Sequence, residues 1–410
     1  MNRSFAIWRA IYRHSESSDG SYPAQYRRSS HRSTSRPRTA VVVSHVRSSG
    51  PAHHLVSFTK QHFDRVLEVQ HPLIHSHAAK STWRLWQGGV VIAEGGVSSR
   101  LPENPRYIAD VLLTIWWIAT QAGRSELYIG LGALSGAAGL IARRSWYCRM
   151  TVTWLIDYSP QRFSSPILDR LFHAIDAVVA LRSDETWNIS GKVIEAHISN
   201  KQLLRRRPNI QRVVPIGVDR ILDPLRPHRE DELIFVGHVL EKQGLQLVLE
   251  ALPSVLSVRP GVRLTVVGDG PYLAQLKNRA SELGISSIIA FEGFVASDEE
   301  IWQKLSRASI GIAPYLKTSD SFTNYADPGK VKQYLAAGLP ICMTRVPPIA
   351  ADIERRNCGV VVEDNVDSVR TGLLSLLGDA KLSERRRACV TFATEFTWPR
   401  VWSDAFVGIL

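Results

Sequence analysis

The sequence predicts an α/β protein of two doubly wound Rossmann-like domains that face each other across a cleft. The chain has 410 residues, which exceeds the size at which one hydrophobic core usually keeps growing. Short β-branched runs alternate with helical stretches, a pattern typical of parallel sheets covered by helices. The alternation starts afresh after the charged, proline-containing stretch 222–232, so a second domain is expected there.

The predicted organisation has four parts. Residues 1–38 form a disordered basic tail, residues 39–221 the first domain and residues 222–395 the second domain. Residues 396–410 are expected to return to the first domain.

The tail carries half of the net charge of +12, with eight arginines and only two acidic residues. It has few apolar residues to bury, which predicts disorder. An anionic membrane surface is one partner that such a tail would suit. A transit peptide and a simple solvated extension are the alternatives. Since the charge is concentrated in the tail, no nucleic-acid partner is expected.

The cysteines and the apolar runs indicate the cellular compartment of the protein. Four cysteines lie far apart in the chain without a C-x-x-C pair, so a disulfide framework is not expected. The longest strongly apolar run, Val111 to Thr120, has about half the length that spans a bilayer. We expect a cytoplasmic protein, with peripheral attachment to the inner face of the membrane as an option that the basic tail offers.

The elements of the first domain begin with a buried strand from Ala40 to Ser44 and a helix through Leu55 and His62. A glycine pair, Gly88 and Gly89, separates two strand-like arms as in a hairpin. Further along we expect a strand at 66–69, a helix at 107–119, strands at 127–129 and 151–156, and a helix at 166–173. Residues 130–144 form a segment of small residues to which no element is assigned.

The second domain repeats this plan more clearly. We expect strands at 233–236, 264–267, 288–291, 310–313 and 341–343, with helices between them that include 272–283, 299–308 and 330–337. Ligands of such sheets bind beyond the carboxyl ends of the strands. The loops at 237–244, 266–271, 311–320 and 326–330 are therefore the candidates for binding.

Six segments in the second half share their order and spacing with one known family. They are VVPIGVD (213–219), FVGHVLEKQGLQLVLEALP (235–253), LTVVGDGPYLAQLK (264–277), FEGFV (291–295), GIAPY (311–315) and DPGKVKQYLAAGLPI (327–341). With these, the chain resembles glycosyltransferase family 4, the retaining GT-B enzymes. GPAHH (50–54), HPLI (71–74) and LIDYSPQRF (155–163) add a looser likeness in the first half.

The resemblance implies a nucleotide-sugar donor bound mainly by the second domain. His238 and Lys242 would contact the diphosphate, and the turn at Asp327, Pro328, Gly329 and Lys330 would cradle it with helix amides. His238 stands where the family commonly has Arg, while Tyr325 and Gln333 stand near its paired glutamates. Gln333 would still hydrogen-bond the donor. The glycines Gly50, Gly268 and Gly270 would let the backbone approach the donor.

Two residues of the first domain are candidates for the acceptor side. Asp157 follows a strand and would orient an acceptor hydroxyl, with Arg162 five residues later. His71, His75 and His77 lack a matching distant ligand set, so we expect no metal site. No cofactor is expected either, because the nucleotide sugar is the substrate and its acceptor is an unidentified glycan or lipid.

The predicted function is sugar transfer from a nucleotide sugar, with retention of anomeric configuration and without a metal. A nucleotide-sugar-binding protein without transferase activity is the first alternative, since the paired glutamates are missing. A sugar-nucleotide epimerase is the second, and it would alter the sugar without any acceptor.

Overall fold

The structure is a computed structural model that describes residues 37–45, 50–72, 80–98, 101–200, 209–318 and 322–410. Most of the predicted basic tail, residues 1–36, lies outside the described residues. His75 and His77 lie outside them as well.

Eight strands in the first half form one sheet in the order β4-β3-β2-β1-β5-β6-β7-β8. Their bounds are β1 Thr39–Ser44, β2 Arg65–Gln70, β3 Lys80–Gln87, β4 Val90–Ser98, β5 Ser125–Leu131, β6 Cys148–Leu155, β7 Glu185–Asn188 and β8 Ile210–Val213. β3 pairs antiparallel with β2 and β4, and the other pairs are parallel. The predicted hairpin is confirmed: Gly88 and Gly89 have φ angles of 58° and 85°, as its tight turn requires.

The helices of this half are α1 Pro51–His62, α2 Glu103–Trp117, α3 Ala133–Arg144, α4 Pro166–Arg182 and α5 Gly191–Asn200. α2 begins four residues before the predicted start at Tyr107. Within the small-residue segment, Gly130 and Leu131 end β5 and the residues from Ala133 onward form α3. Close packing explains why α3 contains glycines. A Cβ at Gly136 would lie 2.4 Å from Val179, and one at Gly139 would lie 2.4 Å from Tyr128. α3 therefore packs closely against both α4 and the sheet.

The second sheet has six parallel strands in the order β11-β10-β9-β12-β13-β14. Its strands are β9 Glu232–Val236, β10 Arg263–Val267, β11 Ile289–Gly293, β12 Ile310–Ala313, β13 Ile341–Thr344 and β14 Gly359–Val362. The helices are α6 Leu245–Val258, α7 Leu273–Glu282, α8 Asp298–Arg307, α9 Gly329–Ala336, α10 Ala350–Arg355, α11 Val366–Leu377, α12 Leu382–Ala393 and α13 Trp398–Ala405. The order reverses between β9 and β12, so the crevice beyond their carboxyl ends is a natural ligand site.

Each sheet is covered by apolar residues on both faces. α12 contributes Cys389 and Phe392 to a core of the second half. α13 instead packs on the first half, where Trp402 contacts Trp154 and Trp187. The predicted fold class, two doubly wound α/β units, is confirmed. The exact domain boundaries stay predictions.

Within the described part of the chain, none of the helices is both long enough and apolar enough to span a bilayer.

Candidate functional site

A cavity of about 100 Å³ lies where the carboxyl ends of the two sheets meet. We call it the donor cavity. Its lining from the first half includes Ile156, Asp157, Tyr158 and Ile189, and its lining from the second half includes His238, Gln243, Tyr315, Thr323, Asp327, Pro328, Gly329 and Lys330. Four of the predicted donor residues are thus gathered here: His238, Pro328, Gly329 and Lys330.

Lys330 is the central cation of the donor cavity. The residue is only 4% exposed, and its Nζ donates to Oε1 of Gln243 at 2.7 Å. The ammonium lies 3.7 Å from the ring centroid of Phe235. Burial lowers the pKa of the Lys330 amine well below its usual range. An anionic ligand in the cavity would reverse this effect, because a nearby opposite charge favours the protonated amine.

Gly237 and Gln243 were not predicted as site residues, although both belong to the loop 237–244. Gly237 has a φ of 133°, and a Cβ there would lie 3.1 Å from Cε of Lys330. Glycine therefore leaves room for the lysine side chain beside the strand end. The sequence indicated the correct loop but pointed to Lys242, whereas the residue that contacts Lys330 is its neighbour Gln243.

His238 is buried in the donor cavity, with 8% exposure. Neither ring nitrogen makes a well-aligned hydrogen bond with a described residue. Burial lowers the pKa of the imidazole, although the Asp269 backbone nearby favours the protonated ring. The lowered pKa favours the neutral form of the His238 ring, whose nitrogens remain available to a ligand. The arginine that the family commonly has at this position would instead carry a permanent charge.

The turn before α9 is held by Asp327. Its Oδ2 accepts from the Ile216 amide at 2.8 Å, and its Oδ1 lies 3.0 Å from Nζ of the buried Lys332. These contacts tie the start of α9 to the segment that joins the two halves. The first amides of α9, at Gly329 and Lys330, have no acceptor within the helix and can bind an anion.

The remaining predicted donor residues do not line the donor cavity. Nζ of Lys242 lies 4.1 Å from the ring centroid of Phe322. Gln333 has a buried Oε1 without a hydrogen-bond partner among the described residues. Tyr325, at the other glutamate position, packs against the Tyr158 ring with 4.7 Å between centroids.

The glycines Gly268 and Gly270 hold the loop 268–270 against the loop 237–239. A Cβ at Gly268 would lie 1.9 Å from the Gly237 carbonyl oxygen, and one at Gly270 would lie 2.3 Å from that of Val239. Gly50 has a φ of 109° and precedes α1. None of the three lines the donor cavity.

A second cavity, of about 620 Å³, lies among α2, α3 and α4. We call it the acceptor-side cavity. Asp157 and Arg162 both line it, and they form an ion pair of 2.9 Å between Oδ2 and Nη1. Ile156 and Asp157 line both cavities. The Asp157 side chain, 38% exposed, thus stands where the two cavities meet.

A buried polar cluster that the sequence did not predict lies beneath the acceptor-side cavity. Oδ1 of Asp110 accepts from Ser81 at 2.9 Å and lies 3.1 Å from Nδ1 of His71. Oδ2 of Asp110 lies 3.7 Å from Nε2 of His45, which lines the cavity. His71 also contacts Thr114 through Nε2 at 2.7 Å. His71 is therefore part of a hydrogen-bonded network. Among the described residues no group of three or more His, Cys, Asp or Glu is arranged to hold a metal.

Replacing Asp110 by asparagine is expected to lower the free energy of unfolding at neutral pH by about 2–4 kcal/mol. The amide is uncharged and offers one acceptor oxygen in place of two, so one of the two histidines then faces an NH₂ donor. Burial alone would raise the pKa of Asp110, but His45 and His71 hold it well below its usual range. Its stabilisation is therefore complete above about pH 4 and is lost as the pH falls further. Urea unfolding of the wild type and Asp110→Asn across this range measures both effects. A drop no larger than that of Asp404→Asn, in an exposed pair with Arg400, would contradict them.

Comparisons with known proteins show which families and structures the chain resembles. Residues 230–379 match the family model described as "Glycosyl transferases group 1". Alpha-monoglucosyldiacylglycerol synthase of Streptococcus pneumoniae is 31% identical over 116 residues, which cover 27% of this chain and 24% of that protein. GDP-mannose-dependent alpha-(1-6)-phosphatidylinositol monomannoside mannosyltransferase of Mycobacterium tuberculosis is 27% identical over 149 residues, 36% of this chain and 38% of that protein. The matches thus span well under half of either relative.

Solved structures share the fold over most of the chain. Anabaena Alr3699/HepE in complex with UDP aligns with a TM-score of 0.67 at 14% identity, covering 91% of this chain and 99% of that one. WaaG, a glycosyltransferase involved in lipopolysaccharide biosynthesis, aligns with a TM-score of 0.62 at 16% identity, covering 90% and 99%.

Proposed function

We propose that the protein transfers a sugar from a nucleotide sugar to an acceptor. Two findings support this: residues 230–379 match the family model of the group 1 glycosyltransferases, and most of the chain shares its fold with the solved glycosyltransferase WaaG. One observation carries the proposal: Asp157 lines both the donor cavity and the acceptor-side cavity. A donor in the first and an acceptor in the second would meet at this carboxylate. The UDP bound by the HepE structure is consistent with a nucleoside diphosphate as the donor's leaving group.

The donor diphosphate would lie against Lys330 and the first amides of α9. These groups supply positive charge in a site that excludes most water, where electrostatic stabilisation of a departing anion is strongest. His238 would donate one hydrogen bond as a neutral ring, since burial lowers the pKa of its imidazole. The family's arginine at this position would add a full charge, so this chain relies more heavily on Lys330.

Transfer would proceed with retention of anomeric configuration. The bond from the anomeric carbon to the diphosphate oxygen breaks, and the acceptor oxygen bonds to the same face of that carbon. The acceptor's proton passes to the departing diphosphate. Asp157 would accept a hydrogen bond from the acceptor hydroxyl and so orient it, while Arg162 fixes the carboxylate from the other side.

A nucleotide-sugar-binding protein without transferase activity is the second candidate. It is favoured by the residues at the family's glutamate positions: Tyr325 packs on Tyr158, and Gln333 does not line the donor cavity. Neither supplies a carboxylate to the sugar. The two candidates differ in turnover, because only a transferase would cleave the nucleotide sugar.

Metal-independent catalysis is expected, because Lys330 and the α9 amides would neutralise the leaving group. Release of nucleoside diphosphate should be the same in EDTA as in buffer with added magnesium. The measurement is a coupled assay or mass spectrometry on chelator-treated protein. A loss of activity in EDTA that magnesium or manganese restores would contradict this part of the proposal.

A further inference from the structure

The acceptor-side cavity is lined almost entirely by apolar side chains. Val111 of α2, Leu134 and Ala137 of α3, and Leu168, Phe172 and Ile175 of α4 form its walls. The ionisable side chains that line it are His45, Tyr107, Asp157 and Arg162. Its volume of about 620 Å³ is within the usual range of small-molecule sites.

The apolar lining continues to the protein surface. Ile108 on α2 and Leu171 on α4 line the cavity, and they are 67% and 56% exposed. Ile167, one turn before Leu171, is 76% exposed. Large apolar side chains that form a continuous edge around a cavity mark a binding site for an apolar group.

We propose that the acceptor is an amphipathic lipid whose hydrocarbon chain occupies the acceptor-side cavity and whose hydroxyl head lies at Asp157. This inference rests on the proposed transferase function and names its acceptor class. A purely polar acceptor would leave its hydroxyl groups without partners along the apolar walls, which costs free energy. A hydrocarbon chain instead gains about 0.8 kcal/mol for each buried CH₂ group.

Binding of alkyl glucosides below their micelle concentration tests the chain site. Octyl glucoside is expected to bind at least about 100-fold more tightly than methyl glucoside, because only its chain fills the cavity. Isothermal titration calorimetry on the full chain measures both. Equal affinities for the two glucosides would overturn the proposal.

Two variants test whether octyl glucoside binds in the acceptor-side cavity. Ala137→Phe narrows the cavity with a bulky ring, and Leu171→Gln makes its mouth polar at a position that is already more than half exposed. Each should reduce octyl glucoside affinity by about 10-fold or more. The control is Leu112→Gln on α2, which is 62% exposed and does not line the cavity. An equal loss in this control would show non-specific surface binding and overturn the proposal.

Nucleoside diphosphate binding, measured on the same samples, distinguishes a failure of the lipid-acceptor proposal from a failure of the transferase proposal. If diphosphate binds and is released from a nucleotide sugar while chain length has no effect, the lipid proposal fails and the transferase stands. If octyl glucoside binds but no nucleotide does, the transferase proposal fails and with it the role of the lipid as an acceptor.

A second observation, at the opposite end of the first sheet, carries a separate inference. A groove of about 1060 Å³ lies near the amino ends of β5 and β6. Five arginines line it, with Glu126 as their one acidic neighbour in the lining: Arg124, Arg143, Arg144, Arg149 and Arg182. Arg143 pairs with Asp184 at 2.8 Å. Trp146, 75% exposed, stands among them.

We infer that this arginine groove binds an anionic lipid surface. Arginines give charge complementarity with anionic headgroups, and an exposed tryptophan beside them suits the interface between headgroups and chains. Val178, 49% exposed, adds a further apolar contact in the same groove. A nucleic acid would use the charge but would leave Val178 without a matching partner, so a bilayer is the better fit.

Co-sedimentation with vesicles tests the arginine groove. The full chain should bind phosphatidylcholine vesicles containing phosphatidylglycerol and should bind pure phosphatidylcholine weakly. Arg144→Glu with Arg149→Glu should lower binding at least about 10-fold, since each surface cation contributes about 1 kcal/mol. Arg229→Glu with Arg263→Glu changes the charge equally in the second half and should have little effect. Equal losses in both pairs, or RNA binding tighter than vesicle binding, would overturn the inference.

Discussion

Replacing Lys330 by methionine is expected to weaken nucleoside diphosphate binding by at least about 100-fold, because a charge-assisted contact in a buried site is lost. The same change should lower the thermal midpoint of the ligand-free protein only slightly, although Gln243 loses the hydrogen bond from Nζ. The amine is buried and its pKa is lowered by burial alone, and an apolar side chain of similar volume avoids this desolvation. Calorimetric titration with UDP and GDP, together with thermal unfolding, measures both effects.

Lys332→Met is the matched control for this variant. Lys332 is also buried on α9, but its Nζ pairs with Asp327 at 3.0 Å. Removing it leaves the buried carboxylate without its cation, so the thermal midpoint should fall. If Lys330→Met destabilised the ligand-free protein as much as Lys332→Met, or left diphosphate binding intact, the assigned role of Lys330 would be wrong.

Diphosphate binding should also take up a proton. Burial lowers the pKa of the Lys330 amine in the empty cavity, and the bound anion raises it again. Affinity should therefore fall as the pH rises between the pKa of the empty site and that of the complex. Titrations in buffers of different ionisation enthalpy would show this uptake in the wild type and not in Lys330→Met.

Replacing Asp157 by asparagine is expected to lower the rate of sugar transfer by about 100-fold while nucleoside diphosphate affinity stays unchanged. The amide keeps the size of the carboxylate but accepts a hydrogen bond from the acceptor hydroxyl more weakly, so the acceptor loses its orientation. The ion pair with Arg162 is also lost. Single-turnover transfer and diphosphate titration measure the two quantities.

Asp169→Asn is a useful comparison for Asp157. Asp169 accepts hydrogen bonds from the amides of Arg162 and Phe163 and does not line either cavity. It should affect stability more than the transfer rate. If Asp157→Asn left the rate intact, or if diphosphate affinity fell in parallel with the rate, Asp157 would not be the residue that orients the acceptor.

Much of the fold could be predicted because its strands are apolar and β-branched. The strand at Ala40 to Ser44 and the five strands predicted in the second half lie within one or two residues of the observed bounds, whereas β14 was not predicted. β7 and β8 were missed because their buried positions include polar residues that pair with each other. Glu185 pairs with Arg212 at 2.8 Å, and Asn188 donates to Gln211 at 2.8 Å. A hydrophobicity pattern does not detect such pairs.

In the candidate site, residues that are contiguous in sequence could be predicted, whereas residues brought together only by the fold could not. The α9 turn is contiguous in sequence, so Pro328, Gly329 and Lys330 were identified together. His45 directly follows β1, His71 directly follows β2 and Asp110 lies on α2, so the three meet only through the packing of these elements. Spacing along the chain gives no signal for such a cluster. The charge of Lys242 predicts a diphosphate contact, whereas the uncharged Gln243 beside it makes the hydrogen bond with Lys330.

The most direct test of the proposed function is incubation of the wild type and Lys330→Met with a panel of nucleotide sugars, followed by mass spectrometry. The account predicts that the wild type releases nucleoside diphosphate from at least one of them, by transfer or slow hydrolysis, and that Lys330→Met does not. Failure of every nucleotide sugar to bind or be cleaved at millimolar concentration would contradict it. Conversion of the sugar while it stays attached to the nucleotide would show an epimerase instead.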